Sequence, residues 1–401
     1  MRLSMLLVAA VTASACGGPA IFAVEPAAVA AGGVVDVVGQ RFDPGLALRL
    51  EGAAGTISLA LSEVGPNSAV AALPVSTPAG VYDVVAVTAE GEARLTAGLT
   101  VVAGQLEVFF IDVGQGDATF LIAPDGSTLL VDGGPPGAGG VVSAFIDDVA
   151  DGRLDAVALS HTDADHLGGV VSLLRGRDGA AGSDDDVVPL VRSWIGHDDA
   201  LCDSQLCAEF RRLRAAPFEI PDVGEQRDFG GATLTVVARD GDVGGGALGG
   251  IDEENERSLA LLVEFGGRSL FLGGDLTGGG IGTVDVEAAV AAVTGPVDVL
   301  HLNHHGSRTS SSQGFLQALQ PRAVVVSVGT DNAFCHPEVS VIDRLRALTV
   351  PVFSTGAGMV DDADRCDGQA TAWPANARPG LGTFSLVIEA DGDLILGGDA
   401  L

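Results

Sequence analysis

The residues best suited to chemistry are concentrated in one stretch, LSHTDADHLGG at 159–169. It places His161, Asp163, Asp165 and His166 close together, directly after a run of apolar residues. Imidazole nitrogens and carboxylate oxygens are ligands of divalent metal ions. Four such groups this close together would repel one another or desolvate badly without a cation. The stretch therefore predicts a metal site in the turn between a buried strand and a helix.

The elements that must position this stretch alternate between strands and helices from Gln105 onward. Short apolar runs rich in β-branched residues predict strands, and longer amphipathic runs predict helices. The predicted strands are 106–113, 119–124, 127–134, 155–161, 232–238, 258–265, 268–275, 298–304 and 323–329, and the predicted helices are 141–150 and 166–176. This alternation is typical of an α/β fold, in which ligands bind at the ends of strands.

Residues 19–103 follow a different pattern, in which short β-runs are separated by Gly and Pro turns. All seven His lie after residue 160, so this region carries no metal or acid–base chemistry. The pattern predicts a small antiparallel sandwich. The phrases VVGQRFDPG (37–45) and STPAGVYDVVAV (76–87) resemble the IPT/TIG family of immunoglobulin-like domains. That resemblance implies a spacer or a binding unit for an unknown partner.

The N-terminus has the pattern of an export signal, since Arg2 and an apolar run at 3–11 precede small residues and Cys16. Two processing routes fit this pattern: ordinary signal cleavage, or a bacterial lipoprotein route that attaches lipid to Cys16. The five Cys favour lipidation of Cys16, which leaves four that can pair in an oxidising compartment. The candidate disulfide pairs are Cys202 with Cys207 and Cys335 with Cys366.

We therefore expect three segments: a signal peptide at 1–15, an IPT/TIG-like domain at 16–103 and an α/β domain at 104–401. The protein is expected to be exported. It would be either anchored by lipid to the cell envelope or free in the periplasm or outside the cell. No membrane contact other than the lipid anchor is expected.

The charge of the chain limits its partners. Its 21 cationic residues are all Arg, against 53 Asp and Glu, which gives a net charge of −32. Such a surface repels phosphate backbones and excludes an extended basic face for nucleic acid. An anionic substrate would need local positive charge, for which bound metal is the obvious source. A small anionic substrate or a short nucleic-acid strand fits better than a long duplex, and Arg308 or Arg257 could steer it.

The order of motifs along the chain resembles one family. HxDxDH after an apolar strand looks like a variant of the HxHxDH signature of the metallo-β-lactamase fold superfamily. Further motifs follow the order found in the hydrolase domain of ComEC-type DNA-uptake (competence) proteins: FFIDVGQGDATFLI (109–122), LLVDGG (129–134), NERS (255–258), FLGGD (271–275), NHHGS (303–307) and SVGTDNAFCHP (327–337). The resemblance implies a metallo-β-lactamase αββα sandwich after the immunoglobulin-like sandwich.

Carried over to this chain, the resemblance implies two divalent metal ions, Zn or Mn. His161 and Asp163 would hold the first ion. His166 and Asp165, a ligand with a catalytic role, would hold the second. Asp275, which follows Gly-Gly at the end of a predicted strand, matches the carboxylate that bridges the two ions.

The late His ligand of the second ion matches His304, at the end of the predicted strand 298–304. His305 is its rival, because alternate residues of a strand face opposite ways. A middle ligand of the first ion is not evident, and His197 is a weak candidate. Without it the first site is rich in oxygen ligands, which favours Mn²⁺ or Mg²⁺ over a three-His Zn²⁺ site.

Other polar residues have a structural and a functional interpretation. Asp117 and Asp132 match positions that orient His ligands in the family, and turn chemistry beside glycines explains them equally well. His301 lies within a predicted strand, as a core residue or as a support for the ligands. Three residues match polar positions near the pocket that could meet a substrate oxyanion or leaving group: Ser307, Asn332 and His336. Of these, His336 is a candidate general acid.

Two metal ions lower the pKa of a bridging water and generate hydroxide near neutral pH. The competence-type motifs favour hydrolysis of phosphodiesters, in a nucleotide or a single-stranded nucleic acid. Two alternatives remain. One is a lactone, thioester or β-lactam hydrolase of the same fold, and the other is a non-catalytic binding protein with a degenerate hydrolase fold.

Overall fold

The computed structural model describes residues 11–12, 18–53, 55–74, 77–102, 104–176, 192–195, 202–214, 219–244, 246–359, 366 and 370–401. The chain divides into two compact units, Met1–Gln105 with Ala123–Gly126, and Leu106–Ile122 with Ser127–Leu401. The predicted export signal and Cys16 lie outside the described residues, apart from Val11–Thr12, so export and lipidation stay predictions. None of the helices in the described part of the chain has both the length and the apolar character needed to span a membrane.

The first unit is β-rich because its short runs alternate apolar and polar residues. In Val34–Gln40, for example, Val35 and Val37 are buried while Val34 and Asp36 are exposed. The strands are β1 (Val11–Thr12), β2 (Ala20–Glu25), β3 (Ala28–Ala30), β4 (Val34–Gln40), β5 (Ala47–Gly52), β6 (Gly55–Ser58), β7 (Ala60–Val64), β8 (Ser68–Ala72), β9 (Gly80–Thr88) and β10 (Gly91–Val102).

These strands form a six-stranded and a four-stranded sheet. Among the described strands of this unit, only β3 and β10 pair in parallel. Val37, Leu50 and Tyr82 belong to one buried cluster that draws on both sheets. The β-rich region is as predicted, and its relation to the IPT/TIG family stays a prediction.

The second unit contains two eight-stranded sheets. The first sheet has the order β15-β14-β13-β12-β11-β24-β25-β26, and the second runs in chain order from β16 to β23. The strands are β11 (Gln105–Phe110), β12 (Thr119–Ile122), β13 (Thr128–Val131), β14 (Ala156–Leu159), β15 (Arg192–Ile195), β16 (Gln226–Phe229), β17 (Ala232–Ala238), β18 (Ala260–Phe265), β19 (Arg268–Leu272), β20 (Val299–His301), β21 (Ala323–Val326), β22 (Val352–Ser354), β23 (Ala377–Arg378), β24 (Phe384–Glu389), β25 (Leu394–Leu396) and β26 (Asp399–Ala400).

Helices cover the outer faces of the two sheets. They are α1 (Gly139–Ala150), α2 (Ala164–Leu174), α3 (Gln205–Leu213), α4 (Val286–Thr294), α5 (Gln313–Leu319) and α6 (Val339–Leu348). α1, α2 and α3 share one buried apolar cluster with strands of the first sheet, and α4, α5 and α6 share another with strands of the second. The inner faces meet through aromatic rings, such as Phe353 of β22, 6.2 Å from Phe384 of β24. The predicted α/β class and helix–sheet–sheet–helix order are confirmed.

Parallel strands bring the polar loops to one edge of this unit. β13 and β14 are parallel in the first sheet, as are β19, β20 and β21 in the second. The loops that follow these strands carry Asp132, His161, Asp275, His304 and Ser327. Carboxyl ends of parallel strands are where α/β folds bind ligands.

Both predicted cysteine pairs, Cys202–Cys207 and Cys335–Cys366, are disulfide-bonded. The first pair lies at the start of α3. The second ties the loop after β21 to Cys366, far along the chain. Both bonds suit a protein that folds in an oxidising compartment.

Candidate metal centre

The HTDADH segment forms the turn between β14 and α2, with the helix starting earlier than predicted. α2 begins at Ala164, so Asp165 and His166 lie in its first turn. The start of the helix is packed against the turn that follows β13. A Cβ on Gly169 would lie 1.6 Å from the carbonyl oxygen of Gly133, so only glycine permits this approach.

Asp275 lies at the middle of a cluster of four imidazoles. Its Oδ1 is 3.2 Å from Nε2 of His166 and 3.7 Å from Nε2 of His305. Its Oδ2 is 3.4 Å from Nε2 of His304 and 3.8 Å from Nε2 of His161. Each oxygen of this one carboxylate therefore faces a different pair of His side chains.

Two further carboxylates extend the two halves of the cluster. Oδ2 of Asp163 lies 3.5 Å from Nε2 of His161, and Oδ2 of Asp165 lies 3.4 Å from Nε2 of His305. The imidazoles of His161 and His305 are buried, whereas both aspartates are partly exposed. The aspartates therefore mark the side from which solvent or a substrate reaches the cluster.

Several atoms in this cluster are buried without a hydrogen-bond partner among the described residues. They are Oδ1 of Asp117 and of Asp275, and Nε2 of His161, His166 and His305. Four residues offer ligand atoms within 4.8 Å of one another: Asp117, His166, Asp275 and His305. Leaving such groups unpaired in the interior costs about 1–3 kcal/mol each. A divalent cation would satisfy them, so the residues present fit a metal centre.

The ring of His166 is fixed by a carboxylate behind it. Nδ1 of His166 lies 2.8 Å from Oδ2 of Asp132, and Oδ1 of Asp132 accepts the backbone N–H of Ser160 at 2.8 Å. The Ser160 hydroxyl donates to Asp132 at 2.6 Å and lies 2.9 Å from Nδ1 of His161. Because each Nδ1 faces this network, each Nε2 is left to face the centre. The structure thus places Asp132 beside Nδ1 of His166, and adds Ser160, which sequence reasoning missed.

His305 is oriented in the same way from the second sheet. Its Nδ1 lies 3.1 Å from the carbonyl oxygen of Ser327 and 3.5 Å from Oδ1 of Asp117. His301 Nε2 lies 2.8 Å from the Ser327 hydroxyl and 3.5 Å from Asp117. Asp117 therefore lies on the Nδ1 side of His305, and His301 lies next to Ser327.

The chain around His304 and His305 differs from the sequence prediction of a strand over 298–304. β20 ends at His301, and the residues 303–306 form a tight turn. His304 and His305 both have left-handed backbone angles, with φ of 51° and 52°. The expected alternation of strand faces therefore does not apply. The two rings diverge from a turn, and it is His305, not His304, that approaches Asp165.

The polar side chains of Thr309 and Asn255 contact the His304 ring directly. The Thr309 hydroxyl lies 3.3 Å from its Nδ1 and 2.9 Å from the Ser307 hydroxyl. Nδ2 of Asn255 lies 3.4 Å from the ring nitrogens. Ser307, which was expected near a substrate, therefore acts on His304 through Thr309.

Neighbouring buried Asp and His side chains shift one another's pKa values toward the charged forms. Burial by itself would raise the pKa of Asp275 and of Asp117, but the neighbouring imidazoles hold the pKa of both carboxyls below the usual range. Burial would lower the pKa of His166 and His305, but Asp275, Asp132 and Asp117 raise it well above the ordinary value. Because a metal ligand must be the neutral imidazole, binding of a metal ion competes with protonation of these two rings.

The histidine turn is held from behind by the buried carboxylate of Glu287 on α4. Oε1 accepts hydrogen bonds from Nδ2 of Asn303, at 2.8 Å, and from the backbone N–H of Ser311. Oε2 accepts the backbone N–H of Ser312 at 2.8 Å. Burial raises the pKa of Glu287 to about 7. One carboxylate thus joins the start of the histidine turn to the start of α5.

We expect Glu287→Gln to destabilise the protein at pH 5 by about 1–3 kcal/mol, because the amide group must face a buried N–H. The folded-state pKa of about 7 exceeds the ordinary 4.5. The stabilisation by Glu287 is therefore complete below pH 4.5 and lost as the pH rises through 7. Urea unfolding of wild type and variant at pH 5 and pH 8 would measure this. The exposed Glu264→Gln on β18 is the control. A difference in free energy that is equal at both pH values would contradict the prediction.

The His336 ring lies near the histidine turn, in surroundings that do not favour its protonated form. Its ring centroid is 5.6 Å from that of His304 and 6.4 Å from that of His305. Burial, together with His305 and His304, lowers the pKa of His336 to about 3. A general acid would need a protonated ring, so the environment disfavours that role. The neutral ring can still donate one N–H. Asn332, beside it, accepts the backbone N–H of His336 at 3.0 Å and so holds the loop.

The remaining predicted residues have separate places. Arg257 is occupied by an ion pair with Asp240 and donates to the carbonyl oxygen of Ile251, whereas Arg308 is largely exposed. His197 lies outside the described residues. Sequence reasoning also missed Glu254, which accepts the backbone N–H of Thr162 at 2.7 Å and so ties down the HTDADH segment. No sequence pattern indicates that contact.

The chain resembles known proteins in its family signature, in its sequence and in its fold. The family model described as the Metallo-beta-lactamase superfamily matches residues 111–330, more than half of the chain. ComE operon protein 3 of Bacillus subtilis is 29% identical over 270 residues, which cover 62% of this chain and 32% of the relative. Competence protein ComA of Neisseria gonorrhoeae is 29% identical over 249 residues, covering 61% of this chain and 30% of the relative.

A third relative, Recombination protein 2 of Haemophilus influenzae, is 27% identical over 256 residues, which cover 62% of this chain and 27% of the relative. The match thus spans about a third of the length of these relatives. Among solved structures, a metallo-beta-lactamase of Cronobacter sakazakii with a mutated HARLDQ motif has a TM-score of 0.32 at 18% identity, covering 48% of this chain and 73% of that one. A metallo-beta-lactamase from Hirschia baltica has a TM-score of 0.26 at 16% identity, covering 55% and 72%.

Proposed function

This chain belongs to the Metallo-beta-lactamase superfamily, and on that premise we propose that it is a metal-dependent hydrolase of phosphodiesters. One observation carries the proposal. The two oxygens of Asp275 face two different pairs of His side chains, His166 with His305 and His161 with His304. A carboxylate in that position is suited to bridge two divalent ions.

We assign the ligands by proximity to the two oxygens of Asp275. His161, Asp163 and His304 would hold the first ion, and Asp165, His166 and His305 the second. This assignment differs from the sequence expectation, in which His304 served the second ion. It also supplies the missing third ligand of the first site. Four imidazoles and three carboxylates suit Zn or Mn.

When bound, two such ions would lower the pKa of a water and offset negative charge on the attacked group. The chain's own residues perform the other tasks. Asp132 and the carbonyl oxygen of Ser327 hold the rings of His166 and His305, so their Nε2 atoms need no rearrangement before the reaction. The neutral ring of His336 is positioned to donate an N–H to a substrate oxygen.

The sequence relatives favour phosphodiesters over the other substrates of such a centre, because they are named for competence and recombination. The net charge of −32 limits the substrate to a nucleotide or a short single strand that enters at the centre. A lactone, thioester or β-lactam substrate is the alternative.

The test is hydrolysis of bis(p-nitrophenyl) phosphate beside that of a chromogenic cephalosporin and a chromogenic thioester. We expect turnover of the phosphodiester with added Mn²⁺ or Zn²⁺, loss of turnover with EDTA, and recovery when metal is restored. Cephalosporin or thioester turnover without phosphodiester turnover would support the alternative class. No metal-dependent turnover of any of the three would support the binding-protein hypothesis.

A further inference from the structure

An exposed aromatic side chain stands beside the metal centre. Phe334 is 63% exposed, and its ring lies 6.0 Å from that of His336 at an interplanar angle of 20°. The His336 ring is in turn 5.6 Å from that of His304. Phe334 is thus one ring removed from the proposed ligands, on the solvent side.

The loop that carries Phe334 is fixed by polar and covalent contacts. The backbone N–H of Phe334 donates to Oδ1 of Asn332 at 3.2 Å, and the next residue, Cys335, is bonded to Cys366. Asn332 also donates to the carbonyl oxygens of Gly329 and His336, at 3.0 and 2.7 Å. Isolated exposed apolar residues are ordinary, but an aromatic held in place by its backbone is a preformed binding surface.

This loop lines a groove of about 480 Å³. Phe334, Pro337, Met359 and Arg308 are among the residues that line it. The Arg308 side chain is 59% exposed, and its Nε forms an ion pair with Oε1 of Glu338 at 3.6 Å. The groove, which Glu338 also lines, therefore offers an aromatic face and one exposed, ion-paired cation.

We propose that Phe334 is the stacking platform for a nucleobase of the substrate and that Arg308 contacts the phosphate of the same nucleotide. The proposal rests on the proposed function and names its substrate class: a short single-stranded nucleic acid. Every base has a π-face, so one phenyl ring accepts any of them. A single flat ring with one cation suits one base and one phosphate, whereas a protein partner would need a wider apolar surface.

The experiment measures binding by fluorescence anisotropy, with a labelled thymidine hexamer whose linkages are phosphorothioates. An abasic hexamer of equal length and charge is the second probe. We expect wild type to bind the thymidine hexamer more tightly than the abasic one. Phe334→Ala should weaken binding of the thymidine hexamer by about 5- to 150-fold with little change for the abasic probe, and Phe334→Trp should restore it. Phe22→Ala is the matched control, since Phe22 of β2 is also exposed, at 52%.

Equal binding of the thymidine hexamer by wild type and Phe334→Ala, or equal binding of both hexamers by wild type, would overturn the platform. If Phe334→Ala weakens the binding of both hexamers equally, the platform is also overturned, because the substitution then acts on the structure and not on a base contact. Hydrolysis of bis(p-nitrophenyl) phosphate by the same wild-type preparation separates the two proposals. Phe334-dependent binding without hydrolysis would contradict only the hydrolase, and hydrolysis with Phe334-independent binding would contradict only the platform.

Discussion

Replacing Asp275 with asparagine is expected to lower kcat/KM for a phosphodiester by about 10³-fold or more, the largest effect of any single change. Asp275 is buried, and its two oxygens face two His pairs. Asparagine keeps the size of the side chain but replaces one oxygen with an amide nitrogen, which is not a metal ligand. Both ions should therefore be held more weakly, and purified protein should contain less than one metal per chain.

The matched control is Asp148→Asn, on the exposed face of α1. It removes the same charge from the same chain and should keep both the metal content and kcat/KM. Metal content by plasma mass spectrometry and initial rates on the same samples provide the measurement. An Asp275→Asn protein that keeps two metals per chain would show that this carboxylate is not the bridge.

The second large effect is expected from replacing either of the two adjacent His of the turn, because each replacement should remove a different ion. His304→Ala should remove the ion held with His161, and His305→Ala the ion held with Asp165 and His166. Each variant should keep about one metal per chain and lose about 10²- to 10³-fold in kcat/KM. One ion alone would not both lower the pKa of the water and offset the negative charge of the attacked group. His305→Ala should also lower thermal stability more than His304→Ala does, because His305 is buried against Asp117.

Asp148→Asn, on the exposed face of α1, again serves as the control for the two His variants, and it should keep two metals. If His304→Ala keeps two metals while His305→Ala keeps one, His304 is not a ligand. The third ligand of the first site would then have to be sought elsewhere, with His197 as the first candidate.

The sequence predicts the α/β unit, and it singles out most of the proposed ligands, because their signals are local. A buried strand followed by HTDADH and a helix can be recognised from a few consecutive residues. The turn of His304 and His305 could not be predicted in this way. The apolar pattern of 298–302 continues a strand through it, and the pattern carries no information on the left-handed φ of the two His. Gly306 after them is the one local sign of a turn.

The supporting residues escaped prediction for a different reason. Thr162 and Glu254 are 92 residues apart, and Asn303 and Glu287 are 16 apart and on different elements. The first contact exists only once the two sheets have been packed face to face, and the second only once α4 has packed on the second sheet. Phe334 was not predicted because a single exposed aromatic residue has no periodic signal in the sequence. Its proposed role depends on the ring of His336 beside it and on the loop that holds it.

The most direct test of the account is an anomalous difference map from crystals of the protein grown with Mn²⁺. We expect two peaks about 3.5–4 Å apart, one on each side of the Asp275 carboxylate. One should be in contact with His161, Asp163 and His304, and the other with Asp165, His166 and His305. A single peak beside His166 and His305, with none beside His161 and His304 at saturating metal, would contradict the two-ion centre.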